Sequence, residues 1–180
     1  MAGKRIGRRV SDVNIARPMG SGEAVGKTLG EIRKELIEEN FGDIVDLIKS
    51  KKIRDFVEGA LSQAPREFWI APASSTGKHH PPENNVKGGL VVHTRKGIRV
   101  ILNLFRLYGI EDQLLKDKMI AGFILHDIGK GGDPWEDRTD PEHGPKAAHW
   151  LAKIAAIEPE PEKEDFFHID QDLWDVILLV

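Results

Sequence analysis

The chain has 180 residues with a net charge of -3 and a pI near 6.2, so it has no general attraction to nucleic acid or to anionic membranes. Hydrophobic residues make up 40% and charged residues 31%, as in ordinary globular domains, and no apolar run approaches the roughly 18 residues that span a bilayer. There is no cysteine, which excludes disulfides and thiolate metal sites. We therefore expect a cytoplasmic protein with no membrane partner, and the composition does not favour a nucleic-acid partner.

Residues 1 to 26 form a basic, glycine-rich segment, which we expect to be a flexible arm because it is too polar to bury itself. Contact with nucleic acid or with a partner protein is the alternative for such an arm. The stretch GSGEAVGKT ends like a phosphate-binding loop, but Ser21 stands where that motif requires its first glycine, and no strand-like run precedes it. We therefore predict no phosphate-binding loop in this segment.

From Thr28 onward the apolar residues follow helical spacing, and no segment alternates in the manner of a strand. Thr28, with Glu31 three residues later, predicts a capping box at the start of the first helix. Residues 68 to 89 are rich in proline, glycine, serine and asparagine and are interpreted as a long loop. Further helices are predicted for residues 43 to 49, 52 to 63, 90 to 108, 111 to 128 and 143 to 156, and from about residue 170. The predicted fold class is an all-α helical bundle.

The predicted organisation has three parts: the arm at residues 1 to 26, N-terminal helices at residues 27 to 65 that pack on the core, and the main helical domain at residues 66 to 180. The sequence ends in DLWDVILLV, inside an apolar run without a polar tail. Chain ends usually fray into solvent. We therefore expect the domain to be incomplete at its C-terminus, with either a homo-oligomer contact or an additional C-terminal segment covering the apolar end.

His126 and Asp127 stand directly after the apolar run MIAGFIL, where burying polar groups is unfavourable unless something compensates them. One interpretation is an ordinary helix end, in which Gly129 takes a left-handed conformation and Lys130 and His126 suit the negative end of the helix dipole. That interpretation does not explain Asp127, because a carboxylate is unfavourable at a helix C-terminus. A cation must compensate it, and a divalent ion would do so better than Lys130 alone.

Two further histidines lie on other predicted helices. His93 falls close to the apolar side of its helix, and His143 follows Asp140, a candidate N-cap, at a helix start where the dipole favours neutral imidazole. Each one alone has a structural alternative, as a core or surface residue or as a helix-start residue. Together with His126 and Asp127 they predict a site for one of the divalent ions Mn, Fe, Co, Ni, Mg or Zn.

The pattern H…HDIGK…HG resembles the HD-domain superfamily of metal-dependent phosphohydrolases. His93 resembles the first histidine of that pattern, the doublet is His126–Asp127, and the continuation ends at Lys130. The later His-Gly element, which helps to hold a second ion in two-metal members, is similar to His143 and Gly144. Some bacterial and archaeal members have a Gly-Lys-x-His segment and a Gly-Gly pair before the first histidine, and these are matched by Lys78, His80, Gly88 and Gly89.

The resemblance covers roughly residues 72 to 180 and implies an HD-like helical bundle with a metal-dependent phosphohydrolase activity. The substrate implied is nucleotide-like or another small phosphorylated compound. The family usually closes its site with one more aspartate, and its order places that residue after the helix that contains Asp170, Asp172 and Asp175. The implied roles are metal binding for His93, His126, Asp127 and His143, catalysis for Asp127 and Lys130, and substrate binding for Lys78 and His80.

Two alternatives to the enzyme stay open. An HD-like module lacking the distal aspartate could bind a metal or a nucleotide as a regulatory ligand without turnover. An interaction scaffold could carry the same histidines incidentally.

Overall fold

Seven α-helices make up the regular structure of the described residues, which are 27–74, 81–132, 134–136, 138–156 and 169–180 in a computed structural model of the protein. Within these ranges there is no strand, so the all-α prediction is confirmed. No described helix combines the length and hydropathy needed to cross a bilayer. The predicted arm, Lys78 and His80 lie outside the described residues. The helices are α1 (Leu29–Val45), α2 (Lys51–Gln63), α3 (Arg66–Ile70), α4 (Gly89–Leu107), α5 (Gln113–Leu125), α6 (His143–Ala155) and α7 (Gln171–Ile177).

The first helix begins with the predicted capping box. The amide of Thr28 donates to Oε2 of Glu31 (2.7 Å), and the amide of Glu31 donates to Oγ1 of Thr28 (3.3 Å). The prediction of a separate helix at residues 43 to 49 is wrong, because α1 continues through Gly42 to Val45. A single glycine inside a helix lowers its stability by only about 1 kcal/mol and does not end it.

The interpretation of residues 68 to 89 as one long loop is also wrong, because α3 covers the start of this segment. Pro65 precedes the helix as its N-cap residue, a place where its missing N–H is not needed. Phe68 and Trp69 are buried and pack on each other edge to face and on Phe41 of α1, with ring centroids 5.2 to 6.3 Å apart. A short 3-10 helix, Pro82–Asn84, precedes α4.

The core is one cluster to which all seven helices contribute. Helix α5 lies inside it and packs against α2, α4 and α7. Its buried residues Ile120, Ala121, Ile124 and Leu125 lead directly to its end, so His126 and Asp127 follow a segment with almost no contact with solvent. Core packing therefore determines where these two polar residues stand.

Helix α7 is joined to the bundle by apolar contacts and by ion pairs. Lys52 of α2 contacts Asp170 and Asp172, and Lys118 of α5 contacts Asp172 and Asp175, at distances between 2.7 and 3.1 Å. Hydrogen bonds to Asp172 and Asp175 raise the pKa of Lys118 to about 12. The three aspartates before the end of the chain therefore have lysine partners.

Candidate metal centre

The segment after α5 is a series of tight turns. The amides of Ile128, Lys130 and Gly132 donate to the carbonyls three residues before them, at 2.8 to 3.1 Å. Helix α5 ends at Leu125, three residues earlier than predicted, because His126 begins these turns. The expectation of a left-handed Gly129 is wrong. The glycine with positive φ in this segment is Gly132, at 80°, whereas Gly129 lies against Ala147 of α6.

Two glycines position the start of α4 and therefore His93. Gly88 has φ of 77°, a conformation that side chains with a Cβ rarely adopt. A Cβ on Gly89 would overlap the backbone carbonyl of Asn84, so only glycine permits this close approach. His93 follows one turn later and reaches the end of α5.

His143 is the first residue of α6. The prediction that Asp140 is the N-cap of this helix is wrong, because a turn separates Asp140 from the helix and Glu142 is the N-cap residue. The Asp140 side chain instead accepts a hydrogen bond from the amide of Glu142 (2.8 Å) and an ion pair from Lys146 (2.7 Å). The turn presents the His143 ring to the end of α5.

The carboxylate of Asp127 is the point at which these elements meet, and the residue is only 3% exposed. Its Oδ2 lies 3.3 Å from Nε2 of His126 and 3.9 Å from Nε2 of His93, and its Oδ1 lies 3.5 Å from Nε2 of His143. Nζ of Lys130 lies 2.8 Å from Oδ2. One buried carboxylate is thus surrounded by three imidazoles and an ammonium group.

Backbone carbonyls determine the tautomers of two of these histidines. Nδ1 of His126 lies 2.7 Å from the carbonyl oxygen of Phe123, and Nδ1 of His143 lies 2.6 Å from that of Asp140. A carbonyl oxygen only accepts hydrogen bonds, so in both rings Nδ1 carries the proton. In the neutral imidazole, Nε2 then presents a lone pair towards Asp127. Metal-binding histidines are commonly oriented by a hydrogen bond of this kind.

Two lone pairs that face the same carboxylate repel it, so this arrangement needs a cation or protonated rings. One donor atom from each of His93, His126 and Asp127 lies within 4.8 Å of the other two, and these three form the group of described residues that could hold one ion. Ligand bonds of about 2.1 Å place two donors on opposite sides of an ion about 4.2 Å apart and neighbouring donors closer, so side-chain shifts of about an ångström would let the three residues bind one ion. Two imidazoles and a carboxylate fit a divalent transition metal.

The Asp127 carboxyl is in the charge state that a metal requires. Burial alone would raise its pKa, but the hydrogen bond and charge that His126 supplies when both of its ring nitrogens carry protons, together with the ammonium of Lys130, outweigh burial and hold the pKa well below its ordinary range. The ionised form therefore stabilises the fold at every pH above the ordinary aspartate value of about 4. That stabilisation is lost only as the pH falls further, towards the lowered native pKa.

Other predicted residues lie elsewhere or have other partners. His143 approaches Oδ1 of Asp127 and does not belong to the three-residue group. Asp170, Asp172 and Asp175 are paired with lysines. Sequence analysis missed the carbonyls of Phe123 and Asp140. The signal for Phe123 was the set of carbonyls left without partners at the end of a helix, which a residue three positions later can reach. Asp140 lies in the turn before α6, where its carbonyl also accepts a hydrogen bond from the amide of His143 (3.1 Å), and the sequence carries no such signal there.

Replacing Gly97 of α4 with alanine is expected to weaken metal binding roughly tenfold, the lower end of the effect of losing a supporting contact. A Cβ at this position would overlap the ring of Phe123, whose centroid lies 4.4 Å from that of the His126 ring. The displaced Phe123 would therefore shift the His126 imidazole. Calorimetric titration with Mn²⁺ measures the change in affinity.

The matched control is Gly59→Ala on α2, where a Cβ meets nothing within 4 Å. This change should leave metal affinity unaltered and stabilise the fold by about 0.5–1 kcal/mol. If Gly97→Ala binds the ion as tightly as the control, the packing of Phe123 does not position His126.

Comparison with known proteins finds one distant similarity among the curated relatives. No family model matches the chain, and no solved structure matches it. The chain is 27% identical over 124 residues to the 3'-5' exoribonuclease YhaM of Oceanobacillus iheyensis, a match that covers 68% of this chain and 36% of that protein. The chain therefore corresponds to little more than a third of the length of this relative.

Proposed function

We propose that the protein is a metal-dependent phosphohydrolase of the HD-domain type, which hydrolyses a phosphomonoester or phosphodiester in a nucleotide-like or other small phosphorylated substrate. The observation that carries the proposal is the convergence of His93, His126 and Asp127, from two helices, at distances that one divalent ion can bridge. The HDIGK pattern and the similarity to an exoribonuclease support the same class of reaction.

The site offers a place for the phosphate beside the metal ligands. Lys130, in contact with Asp127, also lines a pocket of about 350 Å³ between α3 and the segment after α5, and Arg138 lines the same pocket. Lys130 is paired with Asp127 and Arg138 with Glu136 (3.3 Å), so phosphoryl oxygens would take the place of these carboxylates at the two cations. A divalent ion held by His93, His126 and Asp127 supplies the positive charge that polarises a phosphoryl oxygen and makes water more acidic.

The hydrolysis consumes one water molecule. The water oxygen forms a bond to phosphorus, the bond from phosphorus to the leaving oxygen breaks, and a proton passes to that oxygen. Asp127 is ionised and buried at this point, so it can orient the water by accepting a hydrogen bond, while its lowered pKa makes it a weak acceptor of the proton itself. Lys130 stabilises the charge that develops on the phosphoryl group.

Removal of divalent metal is expected to abolish hydrolysis. Protein treated with a chelator should hydrolyse neither p-nitrophenyl phosphate nor bis(p-nitrophenyl) phosphate, and adding back Mn²⁺ or another divalent ion should restore turnover of one of them. Elemental analysis of the purified protein gives the bound metal independently. Turnover that survives complete removal of metal would contradict the proposal.

A regulatory binding module is the second candidate. The small number of metal ligands favours it. The described residues bring together only one carboxylate and two imidazoles, because the later aspartates are paired with lysines. Such a module would be stabilised against heat by the ion, by about 2.7 kcal/mol at a concentration 100 times its Kd, without forming product. Metal-dependent hydrolysis above background excludes this candidate.

A further inference from the structure

A second, larger cleft lies beside the metal centre and has no part in the function proposed so far. Its volume is about 790 Å³, in the upper part of the range of roughly 300–1,000 Å³ that is typical of ligand pockets. One side is formed by the face of α6 that carries Lys146, His149, Trp150 and Lys153. The other sides come from the link between α2 and α3 and from the turns after α5.

This cleft adjoins the pocket that contains Lys130. Trp135 and Glu67 line both cavities, so the indole of Trp135 stands at the boundary between them. Gly131 positions this indole, because a Cβ there would overlap the ring. The two cavities therefore lie on either side of Trp135, close enough for one extended ligand to be considered for both.

The lining of the cleft suits a flat ring better than a second phosphate. Lys146 is already paired with Asp140 (2.7 Å) and lies 3.6 Å from Glu142, and Glu67 offsets the remaining positive charge. The distinctive groups are two half-buried indoles, Trp135 and Trp150. Indoles bind nucleobases by stacking, which does not depend on base sequence.

We propose that this cleft binds a nucleobase, so that the substrate of the metal centre is a single-stranded oligonucleotide. The inference rests on the proposed function for the phosphate position, and it adds the substrate class. One phosphate lies at Lys130 and Arg138, and the base of a neighbouring nucleotide stacks in the cleft against Trp150. In a nucleotide chain, a short spacer separates each phosphate from its base. This separation matches a phosphate in the pocket at Lys130 and a base in the adjoining cleft.

The test compares Trp150→Leu with Trp174→Leu. Trp174 is 40% exposed on α7 and does not line the cleft, so it is a matched control for the loss of one indole. The probe is single-stranded oligoadenylate of ten nucleotides, titrated with chelator present and followed by quenching of tryptophan fluorescence. We expect Trp150→Leu to raise the Kd about tenfold and Trp174→Leu to change it less than twofold.

Two further ligands complete the test. An abasic chain of the same length should bind the wild-type protein about tenfold more weakly, and adenosine monophosphate should bind more weakly than the oligonucleotide. Equal Kd values for the two tryptophan variants would overturn the inference, and so would equal binding of the abasic chain or tighter binding of the mononucleotide. Because binding is measured without metal, a positive result without any hydrolysis would refute the proposed function and leave the base-binding cleft. Hydrolysis of small esters without this binding pattern would do the reverse.

Discussion

Asp127→Asn is expected to lower metal-dependent turnover by roughly 100-fold or more. Loss of a group that merely supports a ligand typically weakens metal binding or activity 10- to 100-fold, and Asp127 is itself the residue on which three imidazoles converge. Asparagine keeps the shape of the side chain but removes the negative charge that holds a cation. Turnover of bis(p-nitrophenyl) phosphate and bound metal, measured on the same preparation, check this prediction.

Asp55→Asn is the control for the loss of one carboxylate, because Asp55 is exposed on α2 and contacts Lys51. It should leave both turnover and metal content unchanged. Should Asp127→Asn fail to fold, His126→Gln removes another ligand without removing the partner of Lys130. Full activity and full metal content in either variant would show that the histidine and aspartate cluster is not the metal centre.

Asp117→Ala is expected to destabilise the protein by about 3 kcal/mol. Asp117 is 1% exposed, and its Oδ2 accepts hydrogen bonds from the backbone amides of Lys49 (3.0 Å) and Ser50 (2.7 Å), while Oδ1 accepts one from Gln113. Hydrogen bonds to a charged group contribute about 1.5–3 kcal/mol each, and alanine leaves both amides without this partner. Urea unfolding followed by circular dichroism measures the loss.

Asp117→Asn is the informative comparison, because an amide oxygen in place of Oδ2 can still accept from both backbone amides, while the charge and the acceptor for Gln113 are lost. It should destabilise the protein by about half as much as alanine. Neither change should alter metal content, since Asp117 joins α5 to the start of α2 and does not contact the histidines. If Asp117→Ala lowers the free energy of unfolding by less than about 1 kcal/mol, water replaces the carboxylate as the partner of the two backbone amides.

The fold class was predictable because the apolar spacing is helical over most of the chain. The Thr28 capping box was predictable for the same local reason, since both partners lie within four residues. The errors occurred where local signals compete with packing. Gly42 lies between two predicted helices, yet the hydrogen bonds of α1 continue through it. The loop was predicted to begin at Phe68, yet Phe68 and Trp69 belong to the helix that follows Pro65 and enter the core.

The sequence indicated which residues belong to the candidate site, but it did not indicate how their side chains are arranged. The conflict between a carboxylate and the end of an apolar helix indicated His126 and Asp127, and the structure brings His93 to them. Their role as metal ligands stays a prediction. The direction of each ring could not be read from the sequence, because it depends on the carbonyl of Phe123 near the end of α5 and on that of Asp140 in the turn before α6. The cleft that contains Trp135 and Trp150 arises from the packing of α6, which residue spacing does not describe.

The salt bridge between Lys130 and Asp127 has a consequence for how the centre changes when it is loaded. The ammonium of Lys130 neutralises the charge of the buried carboxylate and lies 2.8 Å from its Oδ2. An incoming cation would compete with that ammonium for the same oxygen, and Lys130 also lines the neighbouring pocket. Loading would thus shift the ammonium from the carboxylate towards a bound phosphate and strengthen a contact that it shares with Asp127 when no ion is bound.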